Sequence, residues 1–92
     1  MKVRWTPTVL RDLQSLHPYV AKDNVAAATV MVDKILRGIE ALTHQPGIDR
    51  SGRVGGTREL VVNPFVAVYR TKRNVLELLA IIHGARIWPA SF

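Results

Sequence analysis

Residues 57–83 read TRELVVNPFVAVYRTKRNVLELLAIIH, and this stretch decides the fold. Three runs in it are rich in β-branched and aromatic residues: Thr57 to Val62, Phe65 to Arg70, and Val75 to His83. Such residues favour strands because their side chains pack on a pleated surface. Asn63-Pro64 separates the first two runs, and Thr71-Lys72-Arg73-Asn74 the second pair; both lengths suit hairpins. The last run is almost unbroken, as expected of a strand buried on both faces. Together they predict an antiparallel meander.

The apolar period changes on the amino-terminal side. Val3-Arg4-Trp5 reads as a short extended segment, predicted to join the edge of the sheet. Thr6 can cap a helix whose first turn holds Pro7, where a missing N–H does no harm. Leu10, Leu13, Leu16 and Val20 follow at helical spacing, with Pro18 predicting a kink or a new start after His17. Asp23-Asn24 is a second capping signal, and Ala28, Val32, Ile35, Ile39 and Leu42 then form one apolar stripe that ends before Pro46-Gly47. Residues 47–56 hold four glycines and three charged residues, which predicts a loop. The expected fold is α+β: two helices packed on a mostly antiparallel four-stranded sheet, in the order β-α-α-β-β-β.

At 92 residues, one domain with a single core is expected over 1–92. The 48% apolar and 22% charged content fits a globular chain rather than a disordered one. With no cysteine, disulfides, thiolate metal sites and cysteine nucleophiles are excluded. No apolar run approaches the ~20 residues of a membrane span, and the opening residues lack a signal peptide's apolar stretch, so a cytoplasmic protein without membrane contact is expected. The net charge is +6, spread unevenly: +2 over residues 1–48 and +4 over residues 49–92, where six of seven basic residues are arginine. Arginine's planar fork suits phosphate or carboxylate, so nucleic acid or an acidic protein is the expected kind of partner, against the plainer reading of a solvated surface.

His17, His44 and His83 have no metal-ligand spacing, and Ser15, Ser51 and Ser91 lack a nucleophile context, so no metal and no cofactor are expected. The loop Ser51 to Thr57 has glycines that could turn backbone N–H groups toward an anion, but it lacks the lysine and the spacing of a P-loop. Its neighbours carry more weight. Arg50, Arg53 and Arg58 fall close together at the entry to the sheet, and Arg86 follows the last strand. The expectation is that these guanidiniums converge at one end of the sheet to hold an anion; the alternative is local pairing with Asp49 and Glu59.

Gly52-Arg53-Val54-Gly55-Gly56-Thr57-Arg58-Glu59-Leu60-Val61-Val62, then Val68-Tyr69-Arg70, then Ile82-His83-Gly84-Ala85-Arg86-Ile87-Trp88-Pro89 resembles the RelE/ParE toxins of bacterial type II toxin–antitoxin pairs. Trp5-Thr6-Pro7, Leu10-Arg11-Asp12-Leu13, Tyr19-Val20 and Ala26-Ala27-Ala28 agree with it, so the resemblance spans nearly the whole chain. It implies the same fold, a cognate antitoxin as partner in a hetero-oligomer, and one of two targets. RelE-like members cleave mRNA on the ribosome, which requires a proton acceptor, cations and a proton donor around one phosphate. On that branch the resemblance matches Arg58 and Arg86 to catalytic arginine positions, and His83, away from the family's usual position, could serve as the base; Val66 stands where an arginine is usual and Phe92 where a tyrosine is frequent. ParE-like members poison DNA gyrase and have no nuclease site of their own. The Gly-Thr-Arg-Glu-Leu run and the His-Gly-Ala-Arg ending resemble that branch, which is the favoured reading. The binding candidates are Arg50, Arg53, Arg58, Arg70 and Arg86. A third reading, a non-toxic nucleic-acid-binding module, rests on the charge alone.

Overall fold

A computed structural model describes residues 1–45, 50–84, 88–89 and 91, with Arg50 entering through its backbone alone. The chain forms β1 (Lys2–Trp5), α1 (Pro7–Ala21), α2 (Val25–His44), β2 (Arg50–Ser51), β3 (Arg58–Val62), β4 (Phe65–Lys72) and β5 (Val75–His83). The sheet order is β1-β5-β4-β3-β2. β1 lies parallel to β5, and every other pairing is antiparallel. The four expected strands and two helices are all present, and the two-residue β2 extends the sheet by one short edge within the stretch read as loop.

Both helices start where the sequence places a cap. Thr6 Oγ1 accepts from the Val9 N–H at 3.3 Å, and Asn24 Oδ1 from the Ala27 N–H at 3.0 Å. No new helix starts at Pro18; it sits inside the last turn of α1, where its missing N–H removes one bond shortly before the helix ends anyway. Ala28, Ile35, Ile39 and Leu42 of α2 are buried, the last three in the core shared with the sheet. At Gly38 a Cβ would lie 2.9 Å from Leu60 Cδ2, so glycine there lets α2 come down onto β3.

The near-continuous apolar run of β5 has a specific cause. Val68 pairs with Ala80 and Tyr69 with Leu78, which leaves Leu79 as an extra residue in β5. This bulge resets the alternation. Leu76, Leu78 and Ile81 therefore face the helices, while Leu79 faces away beside Val66 and Val68. The main core lies between helices and sheet around Tyr69, Ile35, Ile39, Leu76 and Leu78; a smaller cluster of Val66, Val68 and Leu79, with Ile82 and Trp88 against it, lies on the far face.

β1 covers only the first half of β5, from Val75 to Leu78. Beyond it the strand edge is closed by α1. Thr6 Oγ1 donates to the Leu78 carbonyl at 2.8 Å, and Asp12 Oδ2 accepts from the Ile81 N–H at 2.8 Å. Two side chains thus stand in for a neighbouring strand. The β4–β5 turn is shorter than the sequence implied: β4 runs on to Lys72, and Arg73-Asn74 alone reverse the chain at φ 52° and 62°. Two successive left-handed residues match the twist of a hairpin.

Candidate functional site

Of the arginines expected to gather, Arg53 and Arg58 are the two whose side chains lie among the described residues, and they sit on opposite faces of the sheet. Arg58 pairs with Tyr69, and strand alternation puts it on the helix-covered face with Leu60 and Val62. Arg53 lies on the far face. Its guanidinium Cζ sits 3.9 Å from the Trp88 ring centroid, and its Nη1 reaches the Gly84 carbonyl at 3.5 Å. The end of β5 itself does not lie beside Arg58, although Trp88 beyond it returns to Arg53. The Gly84 N–H donates to the Pro64 carbonyl, so β5 ends beside the start of β4, whereas Arg58 lies beside its later half. The reason is topological: in a three-strand meander, the start of the first strand and the end of the third lie at opposite ends. Arg86 itself lies outside the described residues, as do Asp49 and Phe92. Arg50 is placed by backbone register opposite Glu59.

The glycine loop is already filled. Glu59 is 1% exposed and faces away from the helices. Its Oε2 accepts from the Arg53 backbone N–H at 2.7 Å and lies 3.8 Å from the Arg53 Nε. The loop closes on itself through Gly52 N–H to the Thr57 carbonyl (2.7 Å) and Thr57 Oγ1 to the Val54 carbonyl (2.6 Å). The anion that a backbone N–H of this loop receives is therefore the protein's own carboxylate. Local pairing with Glu59, the plainer alternative, holds for Arg53.

His83 sits at the other end of β5, edge-on to Phe65 with ring centroids 5.5 Å apart and to Tyr19 at 6.5 Å. These rings, with Asp12, Ser15 and Leu16, border an open cavity of about 410 Å³. Along β4 the partners of Arg58 and His83, Tyr69 and Phe65, are four residues apart, which is about 13 Å at ~3.3 Å per residue. Two strand spacings separate them crosswise as well. Arg58 and His83 are not brought together around one phosphate. Val66 is buried in the far-face cluster.

Arg70 belongs to a grouping that the sequence reading missed. Its Nε lies 2.7 Å from Glu77 Oε1, and Arg4 Nη1 lies 2.7 Å from Glu77 Oε2. One carboxylate thus holds two guanidiniums contributed by β1 and β4. A groove of about 590 Å³ there is lined by Arg4, Arg70, Lys72, Arg73, Val75 and Glu77. The signal was present as i, i+2 pairs of basic residues, Lys2/Arg4 and Arg70/Lys72, but it gains meaning only when β1 is laid parallel to β5. Among the described residues no group of three or more histidine and acidic side chains is arranged to hold a metal, and no helix is long and apolar enough to cross a membrane.

Comparison with known proteins places the chain and its fold. Residues 3–88 match the family model described as ParE toxin of type II toxin-antitoxin system, parDE. The chain is 38% identical over 90 residues to the Sinorhizobium fredii protein named "Putative toxin Y4kP", covering 96% of this chain and 93% of that one. It is similar to a chain of the chromosomal ParDE toxin–antitoxin system from P. aeruginosa, with a TM-score of 0.77 and 28% identity over 90% of this chain and 95% of the other. A chain of the toxin–antitoxin complex RelBE2 from Mycobacterium tuberculosis shares the fold, at TM-score 0.58 and 23% identity over 89% of this chain and 95% of that chain.

Proposed function

We propose, from the premise that this chain belongs to the ParE toxin family of type II toxin–antitoxin systems, that it arrests growth by acting on DNA gyrase and is held inactive by a cognate antitoxin. The observation that carries the target is the separation of the groups that mRNA cleavage would need. Attack by a ribose 2′-hydroxyl calls for a proton acceptor, cations and a proton donor within hydrogen-bond reach of one phosphate. In this chain Arg58 and His83 lie about 13 Å apart along β4. The far face carries the buried Val66 under an apolar cluster capped by Trp88 and Arg53. Among the described residues no such constellation forms, which favours action by binding, and with it the gyrase branch over the ribosomal one.

The antitoxin is inferred from the relatives, whose descriptions name a ParDE system and a RelBE2 complex. Its chemistry follows from the surface: an acidic–apolar segment would answer the +6 charge and the exposed Leu10, Val25, Val30 and Leu36 of the helices. The test is expression in a bacterium with and without the neighbouring reading frame, with pulse-labelling of DNA and protein synthesis. Expected are filamentation and DNA damage, relieved by co-expression. An immediate block of translation with cleaved mRNA would overturn the gyrase reading in favour of ribosome-dependent cleavage, and normal growth in both cultures would overturn toxicity itself.

A further inference from the structure

We infer that the far face at the β4–β5 hairpin end is a sequence-independent binding surface for the phosphodiester backbone of nucleic acid. Strand alternation carries the argument. Val3 and Trp5 pack into the helix-side core, so Lys2 and Arg4 face away from it. On β4 the same parity puts Val66 and Val68 on the far face, and with them Arg70 and Lys72. The register then aligns Lys2, Val75 and Lys72 in one row and Arg4, Glu77 and Arg70 in the next. The rows lie about 7 Å apart along the strands, and the cations of each row about 10 Å apart across them. Arg73 joins from the turn. Five cations therefore share one small flat area with a single carboxylate in the ladder.

Glu77 does not neutralise this surface; it organises it. Each of its oxygens takes one guanidinium, Arg4 through Nη1 and Arg70 through Nε, which leaves the remaining N–H groups of both forks free to point outward. Both side chains stay substantially exposed, at 68% and 46%. Arg73 is kept at φ 52°, a conformation more usual for glycine or asparagine, at the tip of the hairpin. An extended acidic peptide along the open edge of β1 would meet Lys2 and Arg4 but leave Arg70, Lys72 and Arg73 two strands away. A polyphosphate chain crossing the strands meets all five, and arginine forks suit its oxygens.

This surface goes beyond the gyrase proposal and is tested without gyrase. The purified full chain is titrated onto a short fluorescein-labelled DNA duplex of arbitrary sequence, with anisotropy read over a range of salt. Affinity is expected to fall steeply with salt, with a log–log slope near −0.9 for each phosphate neutralised, about −4.5 for five. Lys72→Glu with Arg73→Glu should weaken binding at least about tenfold and reduce the slope by about 2. Lys22→Glu with Lys34→Glu, the same charge change on the exposed side of the helices, should leave the slope nearly unaltered. Should the hairpin double variant not fold, Arg73→Gly suits the turn and is expected to lower the slope by about 1. Equal losses from the two double variants, or no salt-sensitive binding, would overturn the proposal. So would displacement of the duplex by polyglutamate more readily than by unlabelled duplex at equal charge, which would make this a surface for an acidic protein.

Discussion

The two faces of one sheet do different work in this molecule. Toward the helices, Phe65, Ala67, Tyr69, Leu76, Leu78 and Ile81 meet Val9, Leu16, Ile35, Ile39 and Leu42 in a closed core. On the other face a smaller apolar cluster, Val66, Val68 and Leu79, is covered by Trp88 and the Arg53 side chain at one end, and the apolar surface gives way to the Lys2–Arg4–Arg70–Lys72 ladder at the other. Burial of apolar area is the main favourable term in folding, so the helix side holds most of the stability. The far face has charge and little cover, which leaves it available to partners. The lesson is that the bulge at Leu79 lets one strand serve both sides, sending Leu78 and Ile81 to the core and Leu79 to the thin face.

That contrast can be broken by mutation, and the largest effect is expected on the helix side. Ile39→Ala should cost about 2–5 kcal/mol in urea unfolding, because α2 is fixed to the sheet and cannot collapse into the gap. A cost near zero would mean the helix layer is not the stabilising side. Asp12→Ala should cost about 1–3 kcal/mol by leaving the Ile81 N–H without its acceptor, while Asp12→Asn, which keeps a carbonyl there, should recover most of the loss. The pair of variants separates a closed strand edge from a mere loss of charge. Thr6→Ala should cost about 1 kcal/mol for the cap and a little more for the Leu78 carbonyl, with Thr6→Ser restoring much of it. On the far face the numbers shrink. Arg53→Ala should cost under about 1 kcal/mol, since the side chain is 47% exposed, and should change the fluorescence of Trp88. If it destabilised as much as Ile39→Ala, the two faces would not differ as argued. Arg73→Gly should stabilise by up to about 1 kcal/mol while weakening binding to a duplex, a trade that marks the hairpin tip as kept for its charge.

Much of the scaffold was legible in advance. The order of strands and helices, the caps at Thr6 and Asn24, and the Ala28-Ile35-Ile39-Leu42 stripe all follow from local chemistry: hydroxyl or amide oxygens before helical runs, and apolar residues at a period near 3.6. The site was legible only as an excess of arginine. Arg50, Arg53, Arg58 and Arg86 looked like one cluster because they were near in sequence or thought to share a strand end. Yet Arg53 and Arg58 face opposite sides, and Arg53 is taken up by Glu59 and Trp88.

What the sequence determined by itself, then, is which segments become helix or strand and which residues seek the core, since those choices depend on neighbours a few positions away. The grouping of charge was decided by the tertiary structure alone. Lys2 and Arg4 meet Arg70 and Lys72 only because β1 crosses over to lie parallel to β5 in one particular register. A slip of one residue would turn those side chains to the other face, so no composition or local pattern could have announced the ladder.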